Sequence, residues 1–257
     1  MALLAAACQP KVQPKDPAAA EAAALEDKGY AHAPVVSAVA MDGKAYAVIE
    51  GQATPDGRVR LTFNDPLHTG GAQAVGVTAD GNGHFRAEVP ITPLGGLYDL
   101  SMDDNGRAMQ AEGRLFVPPG LPDKAVLMRA GSPSVPLFAG GGALAVIDYD
   151  AGGAVAVAGH VARGQSVAIQ ADGETVAQAQ AGPDGAFNAV TGISAAGLNR
   201  PLTLAVKAGA SVAVSHPVVL AVSDLAGVKA DQISAIDGGW KIVWALPGGG
   251  AQSTLVF

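Results

Sequence analysis

Apolar and polar residues alternate along much of the chain, and this period of two is typical of β-strands that bury one face. The alternation is clear in Val59-Arg-Leu61-Thr-Phe63 and in Val167-Ala-Ile169. Turn signals rich in Asp, Asn and Gly, which tolerate the positive φ of tight hairpins, separate such runs. They lie at 42–43, 55–57, 80–83, 104–106, 150–153 and 183–185. No helical stripe of useful length lies between them, so the pattern predicts an all-β protein.

The strand pattern occurs twice in the chain. The segment 49–61 aligns with 157–169 at an offset of 108 positions, and 80–85 aligns with 182–187 at an offset of 102. The first copy therefore carries six extra residues, which we place within 64–71. About seven short strands per copy, separated by regular turns, predict two tandem antiparallel β-sandwiches.

Five segments follow from this pattern. They are a truncated signal remnant at 1–8, a linker at 9–33, the first sandwich at 34–118, the second at 123–222 and a three-stranded meander at 223–257. Within the linker, Asp16 as the N-cap, Pro17 at the first position and Gly29 after the end predict a short helix. Because three strands alone are barely stable, we expect the meander to dock on the second sandwich.

The run Gly51-x-Ala53-x-Pro55-x-Gly57-x-Val59-x-Leu61, followed by Thr78-Ala-Asp80-Gly-Asn-Gly83-His-Phe85, resembles bacterial immunoglobulin-like modules of envelope and surface proteins. The second copy, in which Ala145-Val-Ile-Asp148-Tyr-Asp150 leads into Gly159, is similar to the Ig-like modules found beside peptidoglycan-binding domains in α-proteobacteria-type proteins. The resemblance covers roughly residues 34–222. It implies the fold and says little about function.

A single cysteine, Cys8, follows Met1-Ala-Leu-Leu-Ala-Ala-Ala and precedes Gln-Pro-Lys. The segment resembles a bacterial lipobox, in which a signal peptide is cut before a cysteine that carries lipid. The resemblance implies a bacterial lipoprotein tethered to a membrane through Cys8, in the cell envelope and anchored to the outer membrane, on the periplasmic or the surface face. The seven preceding residues are short for a signal peptide and lack a positive charge. We therefore expect a truncated signal, with an ordinary apolar N-terminus as the alternative.

The amino-acid composition and the net charge exclude some classes of function. Hydrophobic residues make up 49% of the chain but aromatic residues only 5%, and the net charge is −7. Nothing supplies the basic surface that phosphates require, so we expect no nucleic-acid partner. The sequence contains no uncharged apolar run of the length that a membrane-spanning helix needs.

The chain offers no arrangement of residues typical of catalysis. It has no Gly-x-Ser-x-Gly motif, no P-loop, no dinucleotide fingerprint and no metal-ligand spacing among its histidines. The run Asp148-Tyr-Asp150-Ala-Gly152 is similar to the opening of a calcium loop, but Gly159 stands where the final Glu ligand belongs, so a hairpin turn is favoured. We therefore expect no enzyme activity, no catalytic residue, no cofactor and no metal site.

Two features are candidates for binding. Trp240 and Trp244 lie with Ile242 and Leu246 on one face of the middle meander strand, where indoles either stack on sugar rings or fill the space between the meander and the second sandwich. The second interpretation is favoured. The inserted loop, with Asn64, Asp65 and His68, is a binding loop or a simple difference in loop length.

These observations lead to two hypotheses. The first is a non-enzymatic, lipid-anchored envelope protein whose tandem Ig-like modules act as a structural spacer or as a scaffold for an envelope protein partner. The alternative is a carbohydrate-binding envelope protein that recognises surface polysaccharide or peptidoglycan through the Trp240/Trp244 face.

Overall fold

The computed structural model describes residues 32–43, 45–64, 72–104 and 106–257. All of the described strands lie within one compact unit, Ala33–Phe257. The predicted signal remnant with Cys8, and nearly all of the predicted linker with its helix, lie outside the described residues.

The described residues form β-strands joined by turns and short 3₁₀ helices. The strands are β1 (Val35–Asp42), β2 (Tyr46–Gln52), β3 (Arg58–Asn64), β4 (Ala72–Thr78), β5 (His84–Pro90), β6 (Gly96–Asp104), β7 (Arg107–Val117), β8 (Val126–Met128), β9 (Val135–Pro136), β10 (Val146–Asp150), β11 (Ala154–His160), β12 (Ser166–Ala171), β13 (Glu174–Gln180), β14 (Ala186–Gly192), β15 (Pro201–Ala208), β16 (Ser211–Val219), β17 (Gln232–Ile236), β18 (Gly239–Ala245) and β19 (Ala251–Val256). The 3₁₀ helices are Pro122–Lys124, Ala139–Gly141, Ala195–Gly197 and Val222–Leu225.

The chain folds into two modules of the same topology. In module 1, strands β1 to β7 form the sheets β1-β2-β5 and β4-β3-β6-β7; in module 2, strands β10 to β16 form β10-β11-β14 and β13-β12-β15-β16. Every strand pair is antiparallel. The all-β, antiparallel fold predicted from the sequence is confirmed.

The alternation of apolar residues places one hydrophobic core between the two sheets of each module. Module 1 buries residues such as Ile49, Leu61 and Phe85. Module 2 buries Val157, Ile169 and Phe187 at the aligned positions. The two copies thus share their core positions as well as their strand order.

The two copies also share a glycine that the packing requires. A Cβ at Gly51 would lie 2.2 Å from the carbonyl oxygen of Val35, and a Cβ at Gly159 would lie 2.4 Å from that of Ala143. Both distances are shorter than any side chain tolerates, because another backbone segment passes directly over each strand. The repeated glycine is therefore a packing requirement of this module.

The connection between the third and fourth strands differs between the copies. In module 1, β3 ends at Asn64 and β4 begins at Ala72; in module 2, only Asp172 and Gly173, both at positive φ, separate the corresponding strands. The extra residues of the first copy fall at this connection, and its residues 65–71 lie outside the described residues.

Each module also gains strands from the chain that follows it. Strands β8 and β9 continue the larger sheet of module 1 beyond β7, although the sequence analysis assigns 123–222 to the second sandwich. The meander β17–β19 continues a sheet of module 2, because β19 pairs with β10. The meander is thus an extension of that sheet and does not lie across its face.

Candidate functional site at the joint between the modules

The outer faces of two sheets, one from each module, pack against each other. Residues that alternate with the core positions of these strands form a third hydrophobic cluster, which we call the joint. Its buried members are Leu97, Phe116, Val126 and Met128 of module 1 and its added strand β8, Val146 and Ala158 of module 2, and Ile242, Trp244 and Val256 of the meander. The joint therefore connects three parts of the chain that are distant in sequence.

Both tryptophans belong to the joint. Trp244 is 2% exposed, whereas Trp240 is half-buried and its ring centroid lies 6.4 Å from that of Phe116. Ile242 and Leu246 lie in the same cluster, as the strand periodicity predicts. The surface that the indoles cover differs from the expected one: it includes strands of module 1 as well as those of module 2.

A buried carboxylate lies in the polar part of this interface. Asp148, on β10, is 5% exposed and accepts hydrogen bonds at Oδ2 from the Ser134 amide (2.6 Å) and at Oδ1 from the Ser134 hydroxyl (2.8 Å). The Thr254 hydroxyl also donates to Oδ1 (2.7 Å) and accepts from the Trp244 indole N–H (3.3 Å). Three segments of the chain therefore meet at one carboxylate, and Thr254 links a fourth, through Trp244, to it.

Burial raises the pKa of Asp148, and the hydrogen bonds from Ser134, Thr254 and Gln252 oppose this rise. A buried carboxylate favours its neutral form, because the charged form has lost its water. The hydrogen bonds compensate for part of that loss. The carboxyl group is accordingly held in place by its neighbours, and both of its oxygens are occupied.

Arg114 links module 1 to the segment before the meander. Its Nε and Nη2 bond the two oxygens of Asp99 (2.6 and 3.1 Å), and its Nη1 bonds Asp231 (2.8 Å). The guanidinium carbon also lies 6.0 Å from the centre of the Trp244 ring, within the range of a cation–π interaction. The two-pronged contact with Asp99 uses the planar geometry of the guanidinium, which a lysine would lack.

Arg129 and Gln252 bind the loop between β8 and β9 to the meander. Arg129 donates to the carbonyl oxygen of Pro133 (2.8 Å) and to Glu112 (2.9 Å), and its own carbonyl accepts from Gln252 (3.3 Å). This loop also carries Ser134, the main partner of Asp148. The loop is therefore held by hydrogen bonds to Gln252 of the meander and to Asp148 of module 2.

A cleft of about 600 Å³ opens beside Arg114, at the edge of the joint. Its lining includes Asp99, Arg114, Asp231, Trp244, Leu246 and Pro247. Its charged residues Asp99, Arg114 and Asp231 pair with each other, so the arrangement is suited to holding the modules together.

Four further residues were predicted from the sequence to bind a ligand or to carry lipid. Asn64 is the last residue of β3, and Asp65, His68 and the predicted lipidation site Cys8 lie outside the described residues. Asp150, considered above as a calcium ligand, accepts hydrogen bonds from the amides of Gly152 (2.9 Å) and Ala154 (3.0 Å) in a hairpin turn.

The roles of Asp148, Thr254 and Arg114 were not predicted from the sequence. Alternation correctly places Asp148 on the outer face of β10, where a carboxylate is expected to contact water. The only signal of its burial is its position between Ile147 and Tyr149. Nothing in the local pattern indicates that another module covers this face.

Two kinds of functional feature are absent from the described part of the chain. No group of three or more His, Cys, Asp or Glu side chains there could hold a metal ion. In the same residues, no helix has the length and apolar character needed to cross a membrane.

None of the protein-family models or curated proteins compared with the chain matches it. Among solved structures, the chain is similar to "Biofilm associated protein - BSP domain", with 13% identity, a TM-score of 0.22, and coverage of 74% of this chain and 29% of that one. It is also similar to a tetra-tandem repeat in the extending region of a large adhesion protein, with 18% identity, a TM-score of 0.25, and coverage of 88% and 63%. The chain spans less than two thirds of either.

Proposed function

We propose that this chain is a non-enzymatic, lipid-anchored protein of the bacterial cell envelope, in which two Ig-like modules act as a structural spacer and as a scaffold for a protein partner. The observation that carries the proposal is the joint. A buried tryptophan, a buried carboxylate with three hydrogen bonds and a two-sided arginine ion pair all lie where the modules meet.

A spacer or scaffold needs a fixed relationship between its modules, and the contacts of the joint are of the kind that provide one. Interfaces between domains of one chain commonly allow relative motion unless they are large and hydrophobic. Here the apolar cluster draws on both modules and the meander. The C-terminal strand β19 adds backbone hydrogen bonds to the side-chain contacts, since it lies between β10 and β18 in one sheet.

The anchor is proposed from the lipobox resemblance around Cys8. Several acyl chains on one cysteine would hold a protein stably at a membrane, whereas one chain holds it only marginally. The intact mass of protein extracted from the envelope tests this part, with Cys8→Ser as the matched control. A mass increase that is lost in Cys8→Ser supports the anchor, and an unmodified Cys8 contradicts it.

The alternative, a carbohydrate-binding envelope protein, is supported by the cleft beside Trp244 and by the half-buried Trp240. Tryptophan fluorescence during titration with envelope polysaccharides and peptidoglycan fragments separates the two functions. A saturable change that Trp240→Ala abolishes would favour carbohydrate binding. An unchanged spectrum is the result expected of a scaffold, in which the indoles serve the joint.

The scaffold itself is tested by crosslinking in intact cells that produce the protein. We expect the parent chain to crosslink to a defined envelope protein, and we expect Trp244→Ala, which disrupts the joint, to lose that product while Trp240→Ala keeps more of it. Recovery of uncrosslinked chain alone would contradict the scaffold role.

A further inference from the structure

The two modules differ in which edges of their sheets are paired. In module 2, the outer edge of β10 pairs with β19. This strand is the one of the three meander strands that lies next to β10 in the sheet. In module 1, β1 occupies the position of β10, but no strand of the described residues pairs with its outer edge. Among the described residues, the same edge of the same fold is thus paired in one copy and unpaired in the other.

A second edge shows the opposite asymmetry. The C-terminal end of β7 in module 1 pairs with β8, whereas the corresponding strand of module 2, β16, is an edge strand among the described residues. Near its C-terminal end β16 carries Pro217. Proline has no N–H to offer to another strand, and proteins use it to keep edge strands from pairing. The open edge of module 2 therefore carries a block to pairing.

β1 differs from β16 in its sequence. It runs for eight residues, Val-Val-Ser-Ala-Val-Ala-Met-Asp, with no proline and with its only charge at the last residue, Asp42. A bulge lies between Val36 and Ala38, and the 3₁₀ helix Pro122–Lys124 lies near this strand. From Ala38 to Asp42 the pairing with β2 is regular. Exposed, uncharged edges of this kind are templates for a further strand.

We propose that the edge of β1 pairs with β1 of a second copy of this chain, in antiparallel orientation about a two-fold axis. A two-fold interface uses the same surface of both copies, and an uncharged strand can meet itself without repulsion. Antiparallel pairing places the two Asp42 carboxylates at opposite ends of the new contact. The joined sheet has the order β5-β2-β1-β1-β2-β5 and contains six strands, as does the sheet of module 2 that includes β19. The inference rests on the proposed scaffold function, to which it adds a partner.

Sedimentation equilibrium of the full chain, with reductant to keep Cys8 from forming a disulfide, tests the pairing. We expect a reversible dimer. Ala40→Lys places a like charge in both copies at an exposed position of β1 and should weaken the dimer at least roughly tenfold, which is about 1.4 kcal/mol. The matched control is Ala213→Lys, at an exposed position of β16, and it should leave the dimer unchanged.

Amide hydrogen exchange provides a second measurement, which does not depend on any variant. In the dimer, amides of β1 between Ala38 and Asp42 should exchange more slowly as the concentration rises, while amides of β16 should not. A parent chain that stays monomeric up to its solubility limit overturns the pairing, as does a dimer that withstands Ala40→Lys or is weakened equally by Ala213→Lys. A monomer with an intact joint would overturn only this inference, because the scaffold is tested separately by crosslinking.

Discussion

The hydroxyl of Thr254 donates a hydrogen bond of 2.7 Å to Asp148, although the two residues are 106 positions apart in the chain. Thr254 lies on β19, the last of the described strands, and Asp148 lies on the first strand of module 2. The same hydroxyl accepts a hydrogen bond from Trp244, and the same carboxylate accepts two from Ser134. The C-terminal strand therefore contributes directly to the contact between the modules.

Asp148 should make the stability of the protein depend on pH. Because its pKa is raised in the folded state, the stability that it contributes is fully present below its ordinary pKa of 3.8 and is lost as the pH rises through the raised value. Asp148→Asn removes this dependence and keeps the hydrogen bonds: the amide oxygen accepts from the Ser134 amide, and the two hydroxyls rotate to accept from the amide nitrogen.

The measurement is the free energy of unfolding of both proteins by urea, from about pH 4 to about pH 7. As the pH rises, the free energy of unfolding of Asp148→Asn should increase relative to that of the parent protein. Asp80 and Asp172 have pKa values lowered chiefly by backbone amide donors, so the stability that they contribute is lost as the pH falls. This contribution is the same in both proteins and therefore cancels in the difference between their free energies of unfolding. A difference that stays constant with pH would contradict the prediction.

Trp244 should be the largest single contributor to the joint. Trp244→Ala removes a fully buried indole and leaves a cavity, so we expect a loss of about 3–5 kcal/mol in the free energy of unfolding. Trp240→Ala is the matched control from the same strand, and it should cost less because that indole is half-buried. Chemical denaturation of the two variants checks the order, and equal losses would show that the burial of Trp244 is not what stabilises the joint.

Arg114 should contribute more to the free energy of unfolding than an arginine on the surface does. Arg114→Met leaves Asp99 and Asp231 without their shared partner at a half-buried position, and we expect a loss of about 1–3 kcal/mol. Arg86→Met breaks the exposed ion pair with Glu50 and should cost about 0–1 kcal/mol. Urea denaturation of both variants at low and moderate salt checks this comparison, which fails if the two losses are equal.

Local chemistry explains what could be predicted from the sequence. Asp-Gly and Asn-Gly pairs mark the hairpins because glycine accepts positive φ, as at Gly43 and Gly106. Alternation identifies β3 and β12 and assigns their core faces. The alignment of Gly51 with Gly159 marks a shared backbone constraint whose cause, the carbonyl that lies over each glycine, becomes visible only in three dimensions.

The joint could not be predicted in this way, because it depends on contacts between segments far apart in sequence. Periodicity places Trp244 on one face of β18 but does not specify what covers that face. The expected partner was module 2 alone, whereas the cluster also includes Phe116 and Met128. The same holds for Asp148. The sequence pattern predicts its strand and the face on which it lies, but its burial depends on the neighbouring module.

The distance between the two modules in solution tests the central claim most directly. Spin labels on cysteines at Arg60 of β3 and Glu174 of β13, both exposed, report this distance in a Cys8→Ser background. Labelled chains are diluted with unlabelled ones, so that only distances within one chain contribute to the double electron–electron resonance signal. We expect a single narrow distribution that broadens in Trp244→Ala. A parent distribution as broad as that of the variant would contradict a fixed joint between the modules.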